Sequence, residues 1–232
     1  MNKIEINIKD LKKRFKENVE SSGWSVILKD IIGSDEFDNA VYKLKKEVES
    51  GRRFTPKIKD IFKPFEECPY EDLKVIIINQ EPYPQLNIAD GIPFSCSNTK
   101  VIQPSLRYIF KELNASQWDS LDPDLKRWSN QGILMLNTTF TVQISKIGSH
   151  YSIWKPVTNL ILEKINSHHE NIPTVLLGKK SEEWHMALNK QKIFKIPHPG
   201  SARYTNDKWD CKRIFQDINK ELKKQNKRQI LW

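Results

Sequence analysis

Four short apolar runs, interleaved with helical stripes, constrain this chain more than any other feature. They are Lys74-Val75-Ile76-Ile77-Ile78, Ile133-Leu134-Met135-Leu136, Thr174-Val175-Leu176-Leu177 and Ile193-Phe194-Lys195-Ile196. Each is brief, apolar and rich in β-branched residues or leucine, the pattern of a buried strand. Between them, Leu106, Ile109, Phe110 and Leu113 make one helix face, and Val157, Leu160, Ile161 and Ile165 make another. Ser181 is expected to cap a helix running through Trp184 and Leu188, and a final helix is expected from about Lys208 to Lys224. Short apolar strands alternating with helices predict an α/β fold: a three-layer sandwich whose central four-stranded parallel sheet is flanked by helices, with right-handed crossovers.

The first quarter reads as helical. Phe37, Val41, Leu44 and Val48 form a stripe, with Ser34 or Asp35 as N-cap and Gly51 as the stop. The stretch from Pro56 through Pro64 to Pro69 reads as loop or short turns. With 232 residues, no internal repeat and no evident boundary, 1–232 is expected to be a single domain, residues 1–70 being a helical and loop lead-in packed on the sheet. The Lys-rich end from Lys220 to Arg228 closes on Ile230, Leu231 and Trp232 and is expected to pack.

Composition excludes several classes. Seven Trp and ten Phe rule out a charged, aromatic-poor disordered chain and allow a sizeable core. No apolar run approaches the ~20 residues that cross a bilayer, and Met1-Asn2-Lys3-Ile4-Glu5 has no hydrophobic signal segment. An intracellular location is expected, cytoplasmic or nucleoid-associated, or nuclear or viral if the source is eukaryotic or viral. Cys68, Cys96 and Cys211 are scattered without CxxC spacing, so neither a disulfide framework nor a four-thiolate metal site can form. The excess of 38 Lys+Arg over 29 Asp+Glu gives a net charge of +9 and points to nucleic acid, where basic side chains gain affinity by releasing phosphate counterions. A solvated lysine face would have the same composition, so charge alone does not decide the matter.

In open parallel sheets ligands bind beyond the carboxyl ends of the strands. The residues expected there are Asn79-Gln80-Glu81-Pro82-Tyr83, Asn137-Thr138-Thr139, Gly178-Lys179-Lys180-Ser181 and Pro197-His198-Pro199-Gly200-Ser201. A carboxylate, a carboxamide, a glycine-lysine turn and an imidazole would meet on one edge. Singly, each has an ordinary explanation: a solvated loop acid, a turn-forming Asn, a packing His. Together they make a candidate active site.

These motifs carry a family resemblance. Gln80-Glu81-Pro82-Tyr83 followed by Gly91-Ile92-Pro93-Phe94-Ser95 resembles the water-activating and pocket loops of family 1 uracil-DNA glycosylases. Gln103-Pro104-Ser105-Leu106 is similar to their proline-rich DNA-clamping loop, Leu134-Met135-Leu136-Asn137-Thr138 with Thr141-Val142 to their uracil-reading strand end, and His198-Pro199-Gly200-Ser201 to their His-Pro-Ser loop. Ser149-His150, Trp154 and the ending Ile230-Leu231-Trp232 also fit, so the resemblance spans nearly the whole chain.

The resemblance implies a monofunctional enzyme that flips uracil out of DNA and hydrolyses its N-glycosidic bond, leaving an abasic site for base excision repair. Glu81 and His198 would be catalytic, the first positioning water and facing the cationic sugar, the second donating to uracil O2 as the base departs. Asn137 would pair with O4 and N3–H, Tyr83 exclude the thymine methyl, Phe94 stack on the ring, and Gln80 act through its backbone. Ser105, Ser201, Gly178 and Lys179 would grip phosphates, with Arg203 or Tyr204 as the wedge replacing the flipped base, Arg203 preferred. No metal or cofactor is implied; the partner would be uracil-containing DNA, single- or double-stranded, bound by a monomer, with a protein inhibitor or replication partner left open. Departures cluster around the water: Glu81 stands for the usual Asp, Asn79 for Gly, Pro84 for His, Asp90 for His, and Ala202 occupies the position of the usual wedge Leu. Two alternatives stay open: a glycosylase for a modified pyrimidine in viral or phage DNA, and a DNA-binding replication accessory on the same scaffold.

Overall fold

The computed structural model describes residues 8–113 and 116–232. The first seven residues of the expected lead-in, and 114–115, lie outside the described residues. The chain opens with helices α1 (Ile8–Ser21), α2 (Ser25–Leu28) and α3 (Asp35–Glu49), then a two-residue strand β1 (Phe54–Thr55) and a short α4 (Lys63–Glu67). Ser34 is the N-cap of α3, its side chain accepting from the Phe37 amide at 3.2 Å, and Gly51 follows the helix with φ near +83°.

The alternating unit follows. Strand β2 (Val75–Asn79) leads to α5 (Pro104–Leu113) and α6 (Lys126–Ser129); β3 (Ile133–Asn137) and the short β4 (Val142–Gln143) lead to α7 (Tyr151–His168); β5 (Pro173–Leu177) leads to α8 (Lys179–Glu182); β6 (Lys192–Ile196) leads to α9 (Ile214–Lys224). The order β3-β2-β5-β6 forms a four-stranded sheet, all pairs parallel, while β1 and β4 pair antiparallel apart from it.

Side-chain alternation explains why these strands are apolar throughout. Ile76, Ile78, Leu134, Leu136 and Leu176 face a cluster built on α1, α3, α4 and α7. Val75, Ile77, Ile133, Met135, Val175 and Leu177 face the opposite cluster, which holds α5, α6 and α9. Successive residues point to opposite faces, so a sheet covered on both sides needs hydrophobic residues at every position. Only β6, at the edge, carries exposed Lys192 and Lys195. The stretch after β3 is pinned to α7 by a buried relay: Trp154 Nε1 donates to Thr141 Oγ1 at 2.7 Å, and that hydroxyl shares a hydrogen bond of 2.8 Å with His150 Nδ1.

Three expectations are corrected. Ser181 lies inside α8, whose N-cap is Gly178, because the turn at Gly178 (φ +79°) already redirects the chain, and residues 183–188 continue as a 3₁₀ helix. The last helix starts at Ile214; residues 199–204 form a separate 3₁₀ turn and the segment up to Arg213 is irregular, with four left-handed residues between Asn206 and Arg213. The proline-punctuated stretch contains α4 as well as turns, since Pro64 sits in its first turn, where no amide is missed. At the C-terminus Ile230 is buried and Trp232 packs edge-on against Phe215 and Trp128, whereas Leu231 faces solvent.

Candidate active site

Because the four core strands are parallel, their carboxyl ends share one edge. Asn79 and Asn137 are register partners there, Gly178 leaves β5, and His198 leaves β6 two residues after Ile196.

His198 begins the 3₁₀ turn Pro199–Tyr204, and its Nδ1 accepts from the Gly200 amide at 3.0 Å. A neutral ring with Nδ1 as acceptor carries its proton on Nε2. Burial, reinforced by the Arg203 charge, pushes the imidazole down to about 4 from 6.5. Two glycines make room for it. A Cβ at Gly178 would stand 2.9 Å from the His198 Cβ, and one at Gly200 would lie 3.1 Å from both His198 Nδ1 and Ser105 Oγ. The second contact also brings Ser105, on the first turn of α5, against the His198 turn.

The ring of Phe94 lies beside that imidazole, centroids 5.6 Å apart. Phe94 is buried and holds a left-handed backbone (φ +65°), an uncommon state for an aromatic residue that surrounding structure must enforce. Asp90 supplies the enforcement. Its buried carboxylate accepts from the amides of Ile92 (3.1 Å) and Ser97 (3.0 Å) and from the hydroxyls of Ser95 and Ser97. Tyr83 Oη donates to the Phe94 carbonyl at 3.3 Å, and burial keeps its phenol well above the ordinary value, hence protonated.

On the other side of the edge, the Asn79 amide nitrogen donates to the Glu81 carbonyl at 3.0 Å and to Asn137 Oδ1 at 2.8 Å. The Gln80 carbonyl accepts from the Thr138 hydroxyl and the Thr139 amide, both at 3.0 Å, so Gln80 contributes by backbone. Glu81 Oε2 accepts from the Gly148 amide at 2.8 Å. Burial raises the Glu81 carboxyl above the usual range, and the Gly148 hydrogen bond partly opposes that.

The residues expected to touch DNA lie around this edge. Ser201 is tied inward, its hydroxyl donating to the His198 carbonyl at 2.7 Å. Lys179 is exposed at the start of α8. Ala202 is fully buried and cannot enter a duplex, whereas Arg203 and Tyr204 project together, the guanidinium 4.5 Å from the exposed ring. Among the described residues no group of three or more His, Cys, Asp or Glu could hold a metal ion, and no helix is long and apolar enough to cross a membrane.

The sequence motifs named Asn79 and Gly200 without giving either a role, noted Asp90 only as a departure from a pattern, and left Gly148 out. The advance signal was position: Asn79 ends a strand and Gly200 lies two residues from His198, whereas Gly148 comes close to Glu81 only on folding.

No protein-family model matches the chain. Among curated proteins, the uracil-DNA glycosylase of Coxiella burnetii (strain RSA 493 / Nine Mile phase I) is 33% identical over 218 residues, covering 92% of this chain and 95% of that protein. That of Flavobacterium johnsoniae is 31% identical over 216 residues, covering 91% and 97%. Among solved structures, mimivirus uracil-DNA glycosylase superposes with a TM-score of 0.82 at 21% identity, covering 98% of this chain and 90% of the other. A mimivirus variant solved in complex with UGI superposes at 0.76 with 22% identity, covering 98% and 91%. These structural likenesses agree on the fold, and the sequence identity, sustained over nine-tenths of the chain, goes further: the chain belongs to the uracil-DNA glycosylase family.

Proposed function

We propose that this protein excises uracil from DNA by hydrolysing the N-glycosidic bond, with the residues of this edge in the following roles. The observation that carries the reading is the His198 ring, neutral near pH 7, with Nδ1 committed to the Gly200 amide and Nε2–H left as donor. A neutral donor aimed at uracil O2 strengthens its hydrogen bond as negative charge grows on the leaving base, with no proton transfer required. Phe94 provides a face on which the extruded ring stacks, and Asn137 its donor–acceptor edge. Tyr83, tied to the Phe94 carbonyl, stands at the C5 side and rejects a methyl group.

Glu81 completes the chemistry. One carboxylate oxygen is held by Gly148; the other makes no hydrogen bond among the described residues and is the acceptor that holds the attacking water. Its negative charge also favours the oxocarbenium-like sugar, which needs electrostatic stabilisation more than a strong base. DNA is gripped through phosphates by Ser105 and the Gly178-Lys179 turn, Ser201 joining them when its hydroxyl turns from the His198 carbonyl to a phosphate, while Arg203 and Tyr204 fill the gap left by the flipped nucleotide.

The test is excision from duplexes carrying a single uracil, thymine or C5-modified pyrimidine, scored as alkali-labile breaks. Breaks are expected at uracil alone, and Tyr83→Ala is expected to begin cleaving at thymine. Cleavage of the C5-modified base in preference to uracil would overturn the base assignment, and absence of breaks at every base would favour a binding role.

A further inference from the structure

Asn79 makes an arrangement that the proposed roles do not use. It ends β2, is 4% exposed, and both of its side-chain hydrogen bonds leave from Nδ2: one to the Glu81 carbonyl at 3.0 Å, one to Asn137 Oδ1 at 2.8 Å. A backbone carbonyl can only accept, so the nitrogen end of Asn79 must face Glu81, and its two hydrogens are then both committed. That in turn dictates the neighbour. Asn137 must present its oxygen to Asn79; turning its carboxamide over would set two NH₂ groups against each other in a site where each residue is almost wholly buried. The Asn137 nitrogen makes no hydrogen bond among the described residues and remains a donor for a ligand. The opposite end of Asn79 reinforces the point: its Oδ1 is buried without a partner, a cost that an apolar residue here would avoid.

We propose that Asn79 is a positioning residue that fixes the polarity of Asn137, so that the site takes a pyrimidine presenting a carbonyl at C4 and turns away one presenting an amino group. The Glu81 carbonyl sets Asn79, Asn79 sets Asn137, and Asn137 offers Nδ2–H to the base. One lone pair of Asn137 Oδ1 is used by Asn79, and the second stays available for N3–H. The first step stays within the turn that leaves β2, and the second joins register partners at the ends of adjacent strands. The inference rests on Asn137 being the base reader.

A double-mutant cycle separates positioning from a plain stitch between strand ends. Single-turnover excision of uracil is measured for the native chain, Asn79→Ala, Asn137→Ala and the double variant, with thermal melts on all four. Positioning through Asn137 predicts that Asn79→Ala slows excision about tenfold in the native chain but less than twofold once Asn137 is Ala, since the residue it orients is gone. Equal losses in both backgrounds, or no loss in the native one, would overturn the proposal. Should Asn79→Ala not fold, Asn79→Ser carries the same cycle and the same expectation. If Asn137→Ala itself excises uracil at the native rate, the base-reader assignment fails, an outcome distinct from additivity in the cycle.

Discussion

His198 and Glu81 are both moved by burial, yet the consequence for pH is one-sided. Burial lowers the imidazole to about 4 and raises the carboxyl above its ordinary value. In the mechanism we propose, excision needs the neutral ring and the ionised acid. Both are present at neutral pH, and both are lost as pH falls, the acid first, since it is raised above its ordinary value while the ring lies at about 4. The rate should therefore be level from neutral pH upward and fall on the acid side, with a midpoint above that of an ordinary glutamate. Glu81→Gln should reduce the plateau by about 10²–10³-fold, as removal of one preorganised electrostatic stabiliser does, and should remove that limb; a pH–rate profile of kcat/KM on the two proteins checks both. The placement of these two residues beyond the strand ends was legible in the sequence, because an acid or a histidine just after a short apolar run is a positional signal. Their protonation was not, because it depends on Gly148, Gly200 and burial that only the folded chain brings about.

The 90–97 loop is the element on which the pocket rests, and its order comes from one carboxylate. Asp90 accepts from two amides and two hydroxyls while 1% exposed, and the Ser95 hydroxyl also accepts from the Leu125 amide at 3.2 Å, joining the loop to the start of α6. Asp90→Ala leaves buried donors without an acceptor and should destabilise the protein by on the order of 3 kcal/mol. The expected reading is a lower urea midpoint at unchanged slope, together with a loss of uracil excision at temperatures where the variant is still folded, since Phe94 then relaxes from its left-handed backbone. The four core strands were readable within a residue or so at each end, because a sheet buried on both faces leaves continuous apolar runs. The segment before α9 was not: Trp209 packs into the core while its neighbours face water, and helical lysine spacing disguises an irregular chain held by Trp209 Nε1 donating to the Pro197 carbonyl.

For the whole molecule, a net charge of +9 should appear as a salt-dependent grip on DNA. Single-turnover excision at subsaturating enzyme should fall steeply with rising salt, and Lys179→Ala should flatten the log–log slope by about one unit while weakening uracil-containing and uracil-free duplexes alike. A binding titration over several ionic strengths checks the slope. Only the folded chain reveals how far apart in sequence the partners of a single carboxylate can lie. Glu81 is hung from the backbone of Gly148, 67 positions downstream. The reach of the acid is thereby set jointly by its own length and by where that distant turn sits. A relative bearing the acid shorter by one methylene, about 1.5 Å, would need its turn drawn inward by a comparable amount, so acid and turn are mechanically paired: exchanging either one alone between relatives should harm the recipient, whereas transplanting acid and turn together should be tolerated.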